Sequence, residues 1–355
     1  MPASSVVKHP RRLLILRFSA LGDVAMTVPV VASLAAQYPQ MQITVASQPF
    51  LAPLFEHIAP NVQFFGADIR KAYRGLRGLW QLSRTAPFQD CDAVADLHDV
   101  LRTKILRCFL RLRGKRLAVI DKHRREKRLL VEHKIFRPLP TSFALYAETL
   151  ARLGLPVKLN FERLKLGGDA LHLPFPFSTD TLHEPWLGLA PFAAHEGKIY
   201  PLEQMTEVVQ LYFELHSHGR LFVFGSRKEM EMLRPTWGKG FERLVFVCDI
   251  LKGLDAELQL MARLNAMVSM DSGNMHLASL VGCPVVSIWG QTHPFAGFMG
   301  YHQAEENVVQ QDLHCRPCSI FGNAPCRYGD FRCLRDILPQ LIIDKVEEII
   351  SPEQD

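Results

Sequence analysis

Short apolar runs, each closed by a turn and followed by a segment with helical periodicity, recur along almost the whole chain, and this alternation restricts the fold more than any other feature. Leu13–Phe18, Ile43–Ala46, Val62–Phe65 and Ala93–Asp96 read as strands; Val24–Gln37, Phe50–His57 and the basic stretch Ile69–Ser83 read as helices between them. A helix is also expected over Phe143–Leu153. The alternation restarts with strands at Trp186–Ala190, Leu221–Phe224, Leu244–Val247, Ala266–Met270 and Val285–Trp289. Helices are expected at Leu202–His216, Arg227–Leu233, Ala256–Leu264 and Asn274–Val281, with a last amphipathic one at Leu338–Ile350. Strands separated by helices in this way build parallel sheets covered on both faces. Two such runs predict two doubly wound halves, and the 355 residues suffice for two separate cores. Between the halves, Pro156, Pro174, Pro176 and Pro185 mark a linker.

In open α/β sheets, ligands bind beyond the carboxyl ends of strands, so the strand-to-helix turns hold the candidate chemistry. The first, Phe18-Ser-Ala-Leu-Gly-Asp23, lacks the spacing of a dinucleotide fingerprint and the Lys-Ser/Thr of a P-loop. Its Asp23 reads either as a helix N-cap or as a catalytic carboxylate. The turn Ser269-Met-Asp-Ser-Gly-Asn-Met-His276 offers small residues at a helix N-terminus, where backbone N–H groups receive a diphosphate. Asp271 there suits sugar hydroxyls or serves as a cap, and His276 reads as a packed helix residue or a ligand. Lys198, in the turn after the first strand of the second half, is a solvated lysine or a neutraliser of phosphate charge. Glu229, one turn into a helix, is a surface residue or a partner for ribose hydroxyls.

The basic residues are concentrated. The formal charge of the chain is +5, but residues 102–137 hold fourteen Lys/Arg against Asp121, Glu126 and Glu132. Arg102, Arg124 and Arg125 belong to this stretch. It reads as a solvated surface, or as an attractor of phosphorylated lipid and anionic membrane. Nucleic acid is not an expected partner, because Phe109 and Phe136 are the stretch's only aromatics. No run reaches membrane-spanning length and the N-terminal apolar run is too short for a signal sequence, so a cytosolic setting is expected. Cys315, Cys318, Cys326 and Cys333 lie within nineteen residues. Their spacing fits a structural four-thiolate zinc, reduced packed cysteines, or disulfides, the last disfavoured in the cytosol.

Together these turns resemble the ADP-heptose:lipopolysaccharide heptosyltransferases of glycosyltransferase family 9. The matching segments are Ile15-Leu-Arg-Phe-Ser-Ala-Leu-Gly-Asp-Val24 with Met26-Thr-Val-Pro29, Lys198 with Pro201, Met270-Asp-Ser-Gly-Asn-Met-His-Leu-Ala278, Gly282-Cys-Pro-Val-Val286, and Gly290-Gln-Thr-His-Pro294. Tyr200 stands where Trp is common in that family, Asn274 where Pro is common, and His293 where an acid is common. The resemblance implies an α/β GT-B fold: two Rossmann-like doubly wound domains facing a central cleft, with a C-terminal helix crossing back to the first. Acceptor would bind residues 1–165 and nucleotide sugar residues 186–335, with 166–185 as linker and 336–355 as the returning helix.

It further implies that Asp23 is the general base, Lys198 the diphosphate lysine, Glu229 the ribose acid and Asp271 the heptose acid. Ser272 and Gly273 would form the phosphate turn, with His276 and Lys252 nearby, while Ser19, Gly22, Arg102, Arg124 and Arg125 would hold acceptor. The expected reaction moves heptose from ADP-heptose to Kdo–lipid A type acceptors at the cytoplasmic face of the inner membrane, with peripheral attachment. No D-x-D motif closes a donor-side strand, so transfer is expected to need no metal, and a single base on the acceptor side implies in-line displacement with inversion of the anomeric centre. Another sugar donor, another glycolipid acceptor, or a non-catalytic binding module on the same fold stay open as alternatives.

Overall fold

A computed structural model describes residues 9–167, 173 and 184–351. The described residues up to Lys122, with Thr141–Lys165, form one compact unit; His123–Pro140 and the described residues from Leu166 onward form another. The expected linker 166–185 lies largely outside the described residues.

The first unit contains strands β1 (Arg12–Leu16), β2 (Gln42–Ser47), β3 (Val62–Gly66), β4 (Ala93–Asp96) and β5 (Arg116–Val119). They form a wholly parallel sheet in the order β3-β2-β1-β4-β5. Leu14, Leu16, Val94, Leu106, Leu110 and Phe88 share its core. β4 is buried along its whole length, and β1 apart from Arg12, as expected for a sheet with helices on both faces. The helix expected from Val24 is two helices, Leu21–Ala25 and Val28–Gln37, with Pro29 in the first turn of the second. The helix expected over 69–83 occupies only Gly75–Leu82. Asp68 accepts from the N–H groups of Arg70 and Lys71 and holds that stretch as a turn, and Gly75 adopts φ +70°.

The second unit contains β6 (Trp186–Ala190), β7 (Arg220–Val223), β8 (Leu244–Phe246), β9 (Ala266–Met270), β10 (Val285–Trp289) and β11 (Val308–Gln310), parallel throughout in the order β11-β10-β9-β6-β7-β8. Both sheets therefore reverse their winding beside their first strand, between β1 and β4 and between β6 and β9. A doubly wound sheet opens its ligand crevice at such a point.

Two expectations of domain organisation are corrected. Residues 123–140, assigned above to the acceptor half, belong to the second unit. Leu130 and Leu139 pack there with Ala296, Phe295 and Phe298, and the Leu139 N–H donates to the Phe295 carbonyl. The C-terminal helix, Pro339–Ile350, was expected to return to the first domain. Its apolar face, Ile342, Ile343, Val346 and Ile350, is instead buried in the core of the second unit with Val208, Tyr212 and Val268. A 3.6-residue apolar stripe predicts that a helix is covered, not which sheet covers it.

Candidate active site

At the reversal point of the first sheet, the turn after β1 is built on an ion pair between a buried arginine and a half-buried aspartate. Arg17, 6% exposed, places Nη2 2.5 Å from Asp23 Oδ2 and donates through Nη1 to the Leu97 carbonyl beyond β4. Ala20, not Asp23, is the N-cap residue of Leu21–Ala25; Asp23 sits three residues in, and its Oδ2 accepts from the Ala20 N–H at 3.2 Å. The simple N-cap reading of Asp23 is thereby corrected. Its carboxylate is oriented by Arg17 and its backbone carbonyl accepts from the Tyr146 hydroxyl, while the side chain keeps 30% of its surface open.

The neighbouring strand end supplies residues that the motif reading passed over. Asp96, wholly buried, accepts from the N–H groups of His98 and Asp99 and faces Arg107 Nε at 3.4 Å. His98 Nδ1 lies 3.4 Å from the Phe18 N–H and Nε2 3.3 Å from Ser19 Oγ. Burial, and then the charges of Arg17 and Lys122, push His98 down to about 3, so the ring is neutral at physiological pH. With Nδ1 accepting, the remaining ring proton belongs on Nε2 and points to Ser19. The signal was available: Asp96 closes an expected strand and His98 and Asp99 follow it directly.

Gly22 lies within the first helical turn beside Asp23. Arg102 is exposed on the helix Leu101–Leu112 of the same unit. Arg124 and Arg125, expected beside it, are exposed at the start of the helix Arg124–Val131 in the second unit. The basic stretch is thus divided between the two units rather than forming a patch on one.

In the second unit the reversal point joins Lys198, in the turn after β6, to Asp271, directly after β9. Lys198 Nζ lies 2.8 Å from Asp271 Oδ2, with side chains 14% and 4% exposed. Ser272 is the N-cap residue of Gly273–Leu280, but its hydroxyl makes no cap bond and lies 3.3 Å from Ser269 Oγ. The first-turn N–H groups at Gly273 are therefore not occupied by that side chain, as anion binding at a helix N-terminus requires. His276 is buried on the same helix. Glu229 follows the adjacent β7, where its Oε2 accepts from the Ser226 N–H at 2.6 Å and the Ser226 hydroxyl at 2.7 Å in a capping box. Lys252 is exposed beyond β8, the far edge strand, between the helices Val247–Ile250 and Leu254–Met261.

Under the Lys198 turn lie two further polar residues. Gln291 and Thr292 are wholly buried after β10, and among the described residues neither the Gln291 amide atoms nor the Thr292 hydroxyl has a hydrogen-bond partner. A Cβ on Gly197 would meet Gln291 Oε1 at 2.0 Å, so glycine is what allows this packing. The Gln291 carbonyl accepts from the N–H groups of Cys318 and Ser319 and anchors the cysteine-bearing loop. That loop folds around the Ser319 hydroxyl, which accepts from Phe321, Gly322 and Asn323 N–H groups, and lays Gly322 on the Lys198 stem.

His293, which stands where an acid is common in the family the chain resembles, is a packing residue. Its Nδ1 accepts from the Phe295 N–H, its ring meets Phe136 and Phe295 edge-on, and burial together with Arg316 holds it down at about 4.

Cys315, Cys318, Cys326 and Cys333, whose spacing fits a four-thiolate zinc, reduced packed cysteines or disulfides, all lie in the second unit. All four are free thiols, and among the described residues no group of three or more His, Cys, Asp or Glu is arranged to hold a metal ion. Cys333 belongs to the hydrophobic core of the second unit, where burial pushes its thiol up to about 12. Burial also raises Cys326, but the backbone N–H groups of Phe331, Tyr328, Asp330 and Gly329 outweigh it and bring its thiol below the ordinary value.

Residues 82–324 match the model of glycosyltransferase family 9 (heptosyltransferase), and the chain belongs to that family. It is a glycosyltransferase. It is 25% identical over 303 residues to a lipopolysaccharide core heptosyltransferase, OpsX, of Haemophilus influenzae, covering 80% of each chain. It is 21% identical over 339 residues to lipooligosaccharide heptosyltransferase 2 of Campylobacter jejuni, covering 94% of this chain and 97% of that one. Among solved structures it resembles the ADP-heptose lipopolysaccharide heptosyltransferase II of E. coli, with a TM-score of 0.66 and 19% identity over 97% of this chain and 100% of the other. The E. coli heptosyltransferase WaaC with ADP aligns at a TM-score of 0.59 and 19% identity, over 95% and 99%. These likenesses establish the GT-B fold. Among the described residues no helix is long and apolar enough to cross a membrane.

Proposed function

We propose that the chain transfers heptose from ADP-L-glycero-D-manno-heptose to the inner core of lipopolysaccharide, on Kdo–lipid A or its heptosylated form. The observation that carries this reading is the Lys198–Asp271 pair at the reversal point of the second sheet, beside the helix start at Ser272 and Gly273, in a chain of family 9. Lys198 and the helix N–H groups suit a diphosphate, and Asp271 suits sugar hydroxyls. Glu229, at the next strand end, would turn from its capping bonds to the ribose, and Lys252 lies on the edge-strand side where the base would extend. His276 supports the phosphate turn from within its helix.

In the reaction, Asp23 takes the proton of the acceptor hydroxyl as that oxygen bonds to the anomeric carbon. The bond from that carbon to the phosphate oxygen breaks, and the electron pair leaves with ADP. Attack opposite the leaving group inverts the centre. Lys198 offsets the charge on the departing diphosphate, which lets transfer proceed without a divalent ion. Ser19, Gly22 and Arg102, on the same unit as Asp23, would hold the acceptor. Arg124 and Arg125, on the second unit, supply cationic surface for a phosphorylated lipid, and the enzyme works peripherally on the cytoplasmic face of the inner membrane.

Incubation of the purified chain with ADP-heptose and a set of truncated core lipids, followed by mass measurement, tests the proposal. A one-heptose increment on a Kdo-bearing acceptor is expected. No increment on any acceptor, with donor left intact, overturns it.

A further inference from the structure

We infer that the outer faces of the helices Leu101–Leu112 and Gly75–Leu82, neighbours in the first unit, form a docking surface for an anionic lipid bilayer. The inference rests on the membrane-peripheral reading above for its partner and gives that reading a location.

The helix Leu101–Leu112 sends Thr103, Leu106 and Leu110 into the core. Its opposite side is not the polar face that a surface helix normally shows. Leu101 is 74% exposed and Leu112 86%, and at 3.6 residues per turn these two point within about 20° of each other. Exposed Cys108 lies on the same line. Lys104 and Arg111, seven residues apart, run along one flank of this stripe, and both are exposed.

On the adjacent helix, Leu76 (66% exposed) and Trp80 (45%) stand one turn apart on the outer side, with Arg84 4.5 Å from the centre of the Trp80 ring. Arg113 joins the two helix ends by donating to the Ser83 carbonyl. Residues 69–84 and 101–112 together contain nine Lys/Arg and no acid.

Single exposed leucines need no explanation, but a stripe of them bordered by cations and an interfacial tryptophan has the composition of a helix lying in a headgroup layer. Leucine and tryptophan enter the acyl boundary while the long cations reach back to lipid phosphates. Nucleic acid fits less well, because Arg84 already covers a face of the Trp80 ring and the stripe itself is leucine.

Trp186, Trp237 and Trp289 are buried, which leaves Trp80 as the exposed tryptophan of the four and a built-in reporter. The full chain is mixed with phosphatidylcholine vesicles with and without phosphatidylglycerol, and binding is followed by co-sedimentation and tryptophan emission. Binding to the anionic vesicles with a blue shift that vanishes in Trp80→Phe is expected. Leu112→Ser should weaken vesicle affinity about tenfold, and Lys104→Glu and Arg111→Glu about fivefold each. These side chains are exposed, so the thermal midpoint should not move. Three results overturn the inference: equal affinity for neutral vesicles without a Trp80 response, tighter salt-dependent binding to an oligonucleotide, or a Leu112→Ser variant that changes oligomeric state while binding vesicles normally. Vesicle binding requires no donor sugar, so a failed transfer assay and a failed docking surface are told apart.

Discussion

Lys198 and Asp271 form a 2.8 Å ion pair across the reversal point of the second sheet, each nearly enclosed. A pair with so little water around it is costly to break on one side only. Lys198→Ala leaves the Asp271 carboxylate buried without its cation and should destabilise the second unit by about 3 kcal/mol, read from denaturant midpoints. Lys198→Ala combined with Asp271→Asn should recover part of that loss. Lys198→Ala and Asp271→Asn, each alone, should lower kcat/KM at least about a hundredfold, because the donor takes each group separately. A Lys198→Ala variant of normal stability and activity refutes the role of the pair.

On the other unit, the Arg17–Asp23 pair predicts a division between chemistry and donor binding. Asp23→Asn should abolish transfer while the affinity for ADP, measured by calorimetry, stays within about twofold of the parent. Arg17→Met removes the buried group that aims the carboxylate, so turnover should fall with ADP affinity again unchanged. Loss of ADP binding in either variant would move Asp23 out of the base role.

These two pairs also show what the sequence made legible. The strand–turn–helix rhythm predicted both sheets apart from their edge strands β5 and β11, and the turns at Asp23, Lys198 and Asp271 stood at strand ends where the fold then brought them to reversal points. Strand adjacency was not legible. That β4 lies beside β1, and so carries Asp96 and His98 to the Asp23 turn, follows from sheet order and has no local signature. Gln291 was part of a motif read from the sequence, but its packing against the Lys198 turn depends on Gly197 leaving room. The same limit explains the misplaced segments. Residues 123–137 read as one charge run with 102–122, yet Leu130, and Leu139 just beyond, carry 123–140 into the second unit, and the apolar face of the last helix could not declare its partner.

His98 and His293 predict a dependence of stability on pH. Burial holds both rings neutral when folded, at about 3 and about 4, while in the unfolded chain they titrate near the ordinary imidazole value. Over the interval between these values the unfolded state binds more protons, so stability is complete above the ordinary value and falls as the solution is acidified. Each ring should contribute a loss of about 2 kcal/mol between about pH 7 and pH 5. Urea midpoints across that range should flatten in His98→Asn for the first unit and in His293→Phe for the second. An unchanged slope in both variants would show that the rings are not held neutral.

Gly322 and Gly329 form a matched pair of glycines, at φ +73° and +72° in the same loop, that separates backbone strain from contact with Lys198. Alanine at either position meets a left-handed conformation and should cost about 1 kcal/mol of stability. At Gly329 nothing lies within 4 Å of the added methyl group, so the cost should stop there. At Gly322 the methyl group would sit 2.6 Å from Lys198 Cγ and must push the lysine stem aside. Gly322→Ala should therefore weaken ADP binding about tenfold, through displacement of the ammonium from the phosphate turn, while Gly329→Ala leaves it unchanged. Calorimetric titration of both variants with ADP makes the comparison. Equal affinities would mean that the loop around Ser319 does not set the position of Lys198.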